Sequence, residues 1–209
     1  MLRRSILVTP IVHSLGRLWA SDRLEAFGMQ WTVPIGADWR VEQEGGQEVL
    51  RLVTPRPQER DPRRPFQYAL ADTPAYDKFT WDIDVRPQPG KGSLILVYAW
   101  RDPAHFNYVH LSDDSASEQP VHNGIFHVYG GDRVRISSDK GPGSLPTTDW
   151  HHVEVTYDGA SGRVEAKVDG QSNPSLRAVD LSLGAGLVGV GSFFNVGSFR
   201  GSKISGTPS

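Results

Sequence analysis

From about residue 30 onward, apolar and polar residues alternate with a period of two along most of the chain. The segment KFTWDIDVR at 78–86 shows the pattern well, since Phe79, Trp81, Ile83 and Val85 alternate with polar residues. This alternation is typical of a strand that buries one face and leaves the other to water or ligand. A slip of one residue would bury two carboxylates, so the pairing register is well specified. No stretch of the sequence has a sustained helical period.

Strand-like segments follow one another closely and are separated by Gly, Pro, Asp and Asn. Because no helix intervenes, they predict an all-β fold, an antiparallel sandwich of two sheets rather than a parallel α/β sheet. Any helix should be a short turn, around 22–27. A chain of 209 residues without a long linker predicts a single domain. The predicted strands are 29–33, 39–43, 48–54, 66–70, 78–86, 93–100, 106–112, 124–130, 132–138, 151–158, 163–170, 187–193 and 199–206.

The first 20 residues differ from the rest. A charged start, MLRR, precedes the apolar stretch SILVTPIVHSLGRLWA, an arrangement found in signal peptides. Pro10, His13 and Arg17 interrupt this stretch, and no small-x-small cleavage site precedes residue 21. We therefore assign 1–20 as a leader or signal segment, with a first strand packed on the domain as the alternative, and 21–209 as the folded domain.

Composition excludes several classes of function. The formal net charge is −2 and acidic and basic residues are interspersed, so no nucleic-acid partner is predicted. The chain has no cysteine, which excludes disulfides, thiolate metal sites and cysteine nucleophiles. No segment approaches the ~20 apolar residues that a membrane-spanning helix requires, so no membrane span is predicted.

Several stretches resemble the concanavalin A-like lectin/glucanase superfamily. TDWHHVEVTYDGASGRVEAKVDG (148–170) is similar to a laminin-G-type hairpin, and SLILVYAWRDPAHFNYVHLS (93–112) to the family's strand, Asp-Pro turn and aromatic strand. GVGSFFNVGSFRGSKISG (189–206) resembles the closing strand, and WTVPIGADWRVEQEGG (31–46) the opening one. The resemblance covers nearly all of the chain beyond the leader and is closest to the 3-keto-disaccharide hydrolase domains.

This resemblance implies a jelly roll in which one sheet bends and its concave face forms a groove for a saccharide ligand. It also implies a bacterial protein of a group that is often exported, which favours a periplasmic or extracellular location. The Glu-x-Asp-x-x-Glu strand of laminarinase-like members has no match here. Asp82 and Asp84 come nearest, with Arg86 where a further acid would stand. A two-Glu retaining mechanism is therefore not expected.

Histidines are concentrated on two predicted strands. Five of the seven fall within 105–151, and those on FNYVHLS and GIFHVYG each share a strand face with a tyrosine. If the two strands pair, His110, His127 and Tyr129 would line one groove, and we assign these three as catalytic candidates. An imidazole can take or deliver a proton near neutral pH, and a tyrosine can hold a hydroxyl or steady an alkoxide. The alternative is a set of hydrogen-bonded structural histidines at the rim of the sandwich.

Aromatic, amide and guanidinium side chains near these histidines are candidates for binding the substrate. Tyr98 and Trp100 are predicted to share a strand face, from which aromatic rings could stack on a sugar. Leu94 and Leu96 lie on that predicted face too, which favours a core role instead. Arginine offers a planar fork for sugar oxygens. The substrate-binding candidates are Tyr98, Trp100, Asn107, Tyr108, His122, Asn123, Arg133 and Arg135.

We assign no metal site and no cofactor. The histidine pairs at 105/110 and 122/127 do not have a recognised zinc spacing. A divalent cation held by His110, His122 and His127 from neighbouring strands is the alternative.

The leading hypothesis is a carbohydrate-active enzyme resembling 3-keto-glycoside hydrolases or lyases. In such an enzyme the keto group acidifies the neighbouring C–H, and His110 or His127 would remove the proton. Two alternatives remain open: a non-catalytic carbohydrate-binding module, and a protein-interaction domain of the laminin-G kind.

Overall fold

The structure is a computed structural model that describes residues 21–57, 61–89, 92–113 and 122–209. The predicted leader, residues 1–20, lies outside the described residues. In the part that is described, no helix has the length and apolar character needed to cross a membrane. The chain there forms β-strands, together with a short 3₁₀ turn at Gly36–Asp38.

The strands make two antiparallel sheets, which confirms the predicted all-β sandwich. The eight-stranded sheet has the order β1-β2-β5-β14-β7-β8-β9-β10, and the seven-stranded sheet the order β13-β12-β11-β6-β15-β4-β3. The strands are β1 (Asp22–Ala26), β2 (Met29–Val33), β3 (Trp39–Glu44), β4 (Gln47–Leu52), β5 (Gln67–Ala71), β6 (Tyr76–Pro87), β7 (Ser93–Asp102), β8 (His105–Ser112), β9 (Gly124–Tyr129), β10 (Val134–Arg135), β11 (His151–Asp158), β12 (Arg163–Val168), β13 (Gln171–Val179), β14 (Leu187–Ser192) and β15 (Gly197–Pro208).

The core lies between the two sheets and follows the predicted alternation. On β6, Phe79, Trp81, Ile83 and Val85 are buried in the core. The intervening residues point outward, where Asp84 lies 3.1 Å from the imidazole Nδ1 of His152 on the neighbouring strand β11. The register predicted from the two carboxylates of β6 is therefore confirmed. Burial of such apolar surface, at about 25 cal/mol per Å², is the main stabilising term of the fold.

Three elements differ from the sequence prediction. The expected helical turn at 22–27 is wrong, because those residues form β1 and pair with β2 through a tight turn in which Phe27 and Gly28 have positive φ. Strand β13, which contains Pro174, was not among the predicted strands. It is found at the edge of the seven-stranded sheet, where a missing N–H is tolerated. The strand predicted at 132–138 is reduced to the two residues of β10.

Candidate functional site

The outer face of the eight-stranded sheet is apolar and aromatic, although it points away from the sandwich core. Ile95, Val97, Phe106 and Tyr108 on this face have no exposed surface, so other parts of the chain must cover them. An apolar surface of this kind on the outside of a sheet indicates a place where something binds or packs. We call it the aromatic face. It comprises Tyr68, Leu70, Ile95, Val97, Trp100, Phe106, Tyr108, His110, Phe126 and Val128.

Two loops cover part of this face and hydrogen-bond to each other. The backbone N–H of Arg63 donates to the Asp132 carboxylate at 2.7 Å, and the backbone N–H of Arg133 donates to the carbonyl of Arg63 at 2.8 Å. The Arg133 guanidinium lies 4.7 Å from the ring centroid of Phe126 and 4.3 Å from that of Phe193, which are cation–π distances. We call these two loops the roof, and it consists of residues 61–66 and 130–134.

A cleft of about 830 Å³ opens beside the roof, at one end of the aromatic face. Trp100, the partly exposed ring of that face, lines it together with Tyr68, and the indole N–H of Trp100 donates to the Tyr68 hydroxyl at 3.2 Å. The cleft therefore has a flat aromatic wall and a volume suited to a small ligand. Six prolines also line it, namely Pro34, Pro55, Pro57, Pro62, Pro65 and Pro103.

Among the described residues, the ionisable groups that line the cleft are two arginines and a tyrosine. Arg56 and Arg64 line it with Tyr68, while no carboxylate or imidazole of the described residues does so. The guanidinium of Arg56 donates to the buried carboxylate of Asp38 at 2.6 and 2.7 Å, and these bonds raise its pKa. Burial raises the pKa of the Tyr68 phenol above its ordinary value. The described part of the cleft thus holds no group suited to accept a proton near neutral pH.

His110 lies on the aromatic face beneath the roof. The Nη1 atom of Arg133 is 3.3 Å from the His110 Nδ1 and 3.3 Å from the Tyr108 hydroxyl. Because a guanidinium only donates, Nδ1 must accept, and the imidazole proton is then on Nε2. That Nε2 is buried and has no hydrogen-bond partner within the described ranges. Burial, the charge of Arg133 and the nearby His122 hold the pKa of His110 well below its usual range, and burial raises the pKa of Tyr108 to about 12.

His127 lies on the opposite face of the same sheet, pointing toward the end of the sandwich interior. Its Nδ1 atom is 2.9 Å from the Asn107 Oδ1 and 3.1 Å from a carboxylate oxygen of Asp180. Asn107 also donates to Asp180 at 2.8 Å, and the exposed ring of Tyr129 stacks on His127 at 5.5 Å. The two predicted catalytic histidines therefore do not share a groove, since adjacent strands in register place 110 and 127 on opposite sides. The structure brings together His127, Tyr129 and Asn107, and separately Tyr108, His110, His122 and Arg133.

The predicted shared face of Tyr98 and Trp100 is wrong. Tyr98 points into the core, with its ring 5.1 Å from that of Tyr157, whereas Trp100 packs on the aromatic face. Ala99 between them has a φ of 50°, and the pairing of β7 with β14 shifts by one residue at this point. This β-bulge breaks the two-residue period and turns Trp100 toward the cleft.

Asn123 and Arg135 bind parts of the protein's own loops. The Asn123 Oδ1 accepts from the backbone N–H groups of Ser112 and Ser144 at 3.0 and 3.1 Å, and from the Ser144 hydroxyl at 2.6 Å. The Arg135 guanidinium donates to backbone carbonyls, including that of Ser137 at 2.7 Å and that of Asp139 at 2.6 Å. These contacts hold the segment that follows β10, so both side chains have a structural task.

The alternative of a metal held by three histidines is not realised, because His127 lies across the sheet from His110. The described ranges contain no group of three or more His, Asp or Glu side chains placed to hold a metal ion.

Several residues of the site were not found from the sequence. Tyr68, Phe66 and Arg64 line the cleft but were treated only as part of a strand and its connection. The run of Pro and Arg at 55–65 was the available signal, since a stiff basic segment next to a strand is unusual in a plain connecting loop. Asp180 was missed because it lies 73 residues from Asn107 in sequence.

No protein-family model matches the chain, and no sequence match was found among curated proteins. Solved structures do resemble it. Carbohydrate-binding module CBM66 from Bacillus subtilis superposes with a TM-score of 0.58 at 13% identity, covering 84% of this chain and 94% of that one. A protein from Parabacteroides distasonis named a putative glycosyl hydrolase gives 0.53 at 13% identity, covering 82% and 94%. A Bacillus subtilis protein of unknown function with a galectin-like fold gives 0.51 at 16% identity, covering 82% and 90%. At these identities the similarity establishes the fold alone, an antiparallel β-sandwich of two sheets.

Proposed function

We propose that this protein is a carbohydrate-binding module and that its ligand lies in the cleft against Trp100. The observation that carries the proposal is the chemistry of the cleft, which combines an accessible indole with guanidinium and hydroxyl groups. An indole face packs on the apolar face of a sugar ring, while polar groups at the edge select its hydroxyls. The fold shared with CBM66, a module whose name says that it binds carbohydrate, supports the same proposal.

The absence of a proton acceptor among the described cleft residues favours binding over catalysis. Glycoside cleavage needs an acid and a base or nucleophile beside the scissile bond. The guanidinium groups of Arg56 and Arg64 only donate hydrogen bonds, and the raised pKa of Tyr68 keeps its phenol protonated. A saccharide in the cleft would therefore be held and released unchanged.

A glycan array tests the proposal directly. The purified protein should bind a subset of immobilised saccharides, and incubation with those saccharides should release no product detectable by mass spectrometry. Ala substitution of Trp100 should remove the array signal. A protein that ignores every saccharide on the array would refute the proposal, and one that converts its ligand would replace a binding module with an enzyme.

A second candidate is a 3-keto-glycoside hydrolase or lyase, and it would use the group around His127. The specific support is the imidazole held by Asp180 and Asn107 and stacked on the exposed Tyr129. His127 would remove the proton from the carbon between the keto group and the anomeric carbon. The electron pair of that C–H bond would form a C=C bond to the anomeric carbon as the bond to the glycosidic oxygen breaks. Tyr129 would donate a proton to the departing oxygen.

Turnover of a 3-keto-glycoside by the wild-type protein, followed by mass spectrometry, tests this candidate. Loss of that turnover in His127→Asn, with the fold intact by circular dichroism, would support it. Wild-type protein without turnover would exclude it and leave the binding module.

A further inference from the structure

Most partly buried guanidinium groups of this protein are neutralised by a carboxylate. This is the usual state, because a charge that is partly removed from water needs a partner of opposite sign. The arginines lie on β4, β6, β15 and the proline-rich segment. The pairs are Arg51 with Glu42 and Glu44, Arg56 with Asp38, Arg86 with Glu44, and Arg200 with Asp84.

Arg64 in the cleft is different. Its Nη1 atom is buried and has no hydrogen-bond partner in the part of the chain that the structure describes. No carboxylate of the described ranges lies within ion-pair distance of its guanidinium, although Arg64 lines the cleft beside Trp100 and Tyr68. An unpaired buried donor is costly. Because the Arg64 side chain is only partly buried and lines the cleft, an acidic ligand there could pair with its charge.

The roof next to the cleft carries two more guanidinium groups without a carboxylate partner among the described residues. Arg133 contacts the Tyr108 hydroxyl, the His110 ring and two phenylalanine rings. The guanidinium of Arg63 lies 5.8 Å from the ring of Phe193, and the nearby Asp132 accepts from the backbone of Arg63 instead. The roof thus holds three arginines, including Arg64, against the two carboxylates of Asp61 and Asp132, in a chain whose formal net charge is −2.

We propose that the cleft selects saccharides that carry a carboxylate, and that the Arg64 guanidinium binds this carboxylate while the sugar ring packs on Trp100. This inference rests on the proposed carbohydrate-binding function and names its ligand class. A guanidinium presents parallel N–H donors that match the two oxygens of a carboxylate, and the charged bond is stronger than one to a neutral hydroxyl. A neutral sugar would leave the positive charge of Arg64 unpaired in the occupied cleft. Arg56 does not compete for the carboxylate of the ligand, since its Nε and Nη2 atoms already donate to the two carboxylate oxygens of Asp38.

The test measures binding to pairs of oligosaccharides by isothermal titration calorimetry. Each pair consists of a uronic-acid oligosaccharide (galacturonate, glucuronate, mannuronate or guluronate) and its carboxyl-reduced neutral counterpart. We expect the acidic member of any bound pair to bind roughly 10- to 100-fold more tightly, with an advantage that shrinks as salt is raised. Arg64→Gln should remove this advantage, so that the acidic and neutral members of a pair bind with similar affinity. Arg64→Lys should retain part of it.

Arg177, exposed on the edge strand β13, supplies the matched control, and Arg177→Gln should bind as the wild type does. Equal or tighter binding of the neutral members would overturn the acidic specificity while leaving a carbohydrate-binding module in place. An acidic preference that survives in Arg64→Gln would overturn the role of Arg64. Failure of every acidic and neutral oligosaccharide to bind would refute the proposed function, and this inference with it.

Discussion

Tyr98 and Trp100 are two residues apart on strand β7, yet their rings lie on opposite faces of the eight-stranded sheet. In a regular strand they would share a face. Ala99, with a φ of 50°, forms a bulge that sends Tyr98 into the core and Trp100 to the cleft. The aromatic wall of the proposed saccharide site thus depends on the backbone conformation of one small residue.

Substitution of Ala99 should affect both stability and ligand binding. A β-branched residue is strongly disfavoured at positive φ, whereas glycine adopts it without strain. We expect Ala99→Val to lower the free energy of unfolding by about 1–3 kcal/mol and to weaken saccharide binding. Ala99→Gly should stay within about 1 kcal/mol of the wild type. Urea denaturation and calorimetric titration of both variants provide the measurement, and a valine variant as stable as the glycine variant would argue against the bulge.

His110 should make the protein less stable in acid. Its pKa is held below the usual value by burial, so the unfolded chain binds a proton below about pH 6.5 while the folded protein does not. The free energy of unfolding therefore falls as the pH drops through this window. Between pH 7.5 and 5.5 the loss attributable to His110 should be about 1.4 kcal/mol.

The variant His110→Phe keeps a ring in the pocket and removes this titration. Urea denaturation at pH 7.5 and 5.5 should show that the free energy of unfolding falls less in this variant than in the wild type. The pKa of His152 is raised by its hydrogen bond to Asp84, so this residue makes the folded protein more stable as the pH falls. It is present in both proteins, and its effect cancels in the comparison. An equal loss in the two proteins would mean that His110 titrates normally in the folded state.

His127 should matter little for ligand binding at the cleft. It lies across the sheet from the aromatic face and hydrogen-bonds within the group of Asn107 and Asp180. We expect His127→Ala to change saccharide affinity less than twofold and to lower the free energy of unfolding by about 1–2 kcal/mol, since it removes buried hydrogen bonds. Calorimetric titration and urea denaturation check these two outcomes. A large loss of affinity would instead show that the group around His127 contributes to saccharide binding.

The sequence predicted the parts of the fold that depend on local periodicity. Alternation on β6 correctly placed Trp81 in the core and Asp84 outside. The faces of residues 98 and 100 could not be predicted, because an alanine in a strand does not indicate the positive φ that forms the bulge. A Gly or Asn at that position would have indicated a positive φ.

The candidate site was predicted only in part because its closest contacts are distant in sequence. Trp100 and Tyr108 were selected as substrate-binding candidates, which stays a prediction, and the structure places both on the aromatic face. The roof could not be predicted, because it joins Arg63 to Asp132 across 69 residues. The grouping of His110 with His127 assumed that both side chains point to the same face of the sheet. In the structure His110 pairs with Gly124 rather than with a neighbour of His127 on that face, so the two imidazoles point to opposite faces. Which residues lie opposite each other is set by the register of the two strands, and the alternation within each strand does not specify that register.

If Trp100 forms the binding surface for a saccharide, its substitution must weaken binding while substitution of a tryptophan outside the cleft does not. Trp150 immediately precedes β11 of the other sheet, and the guanidinium groups of Arg86 and Arg200 lie 4.4 and 4.2 Å from its ring centroid, so the protein's own side chains pack on it. Calorimetric titration of the preferred saccharide into Trp100→Ala should show at least about a tenfold loss of affinity, and titration into Trp150→Ala should show wild-type affinity. Unchanged binding by Trp100→Ala would contradict the account.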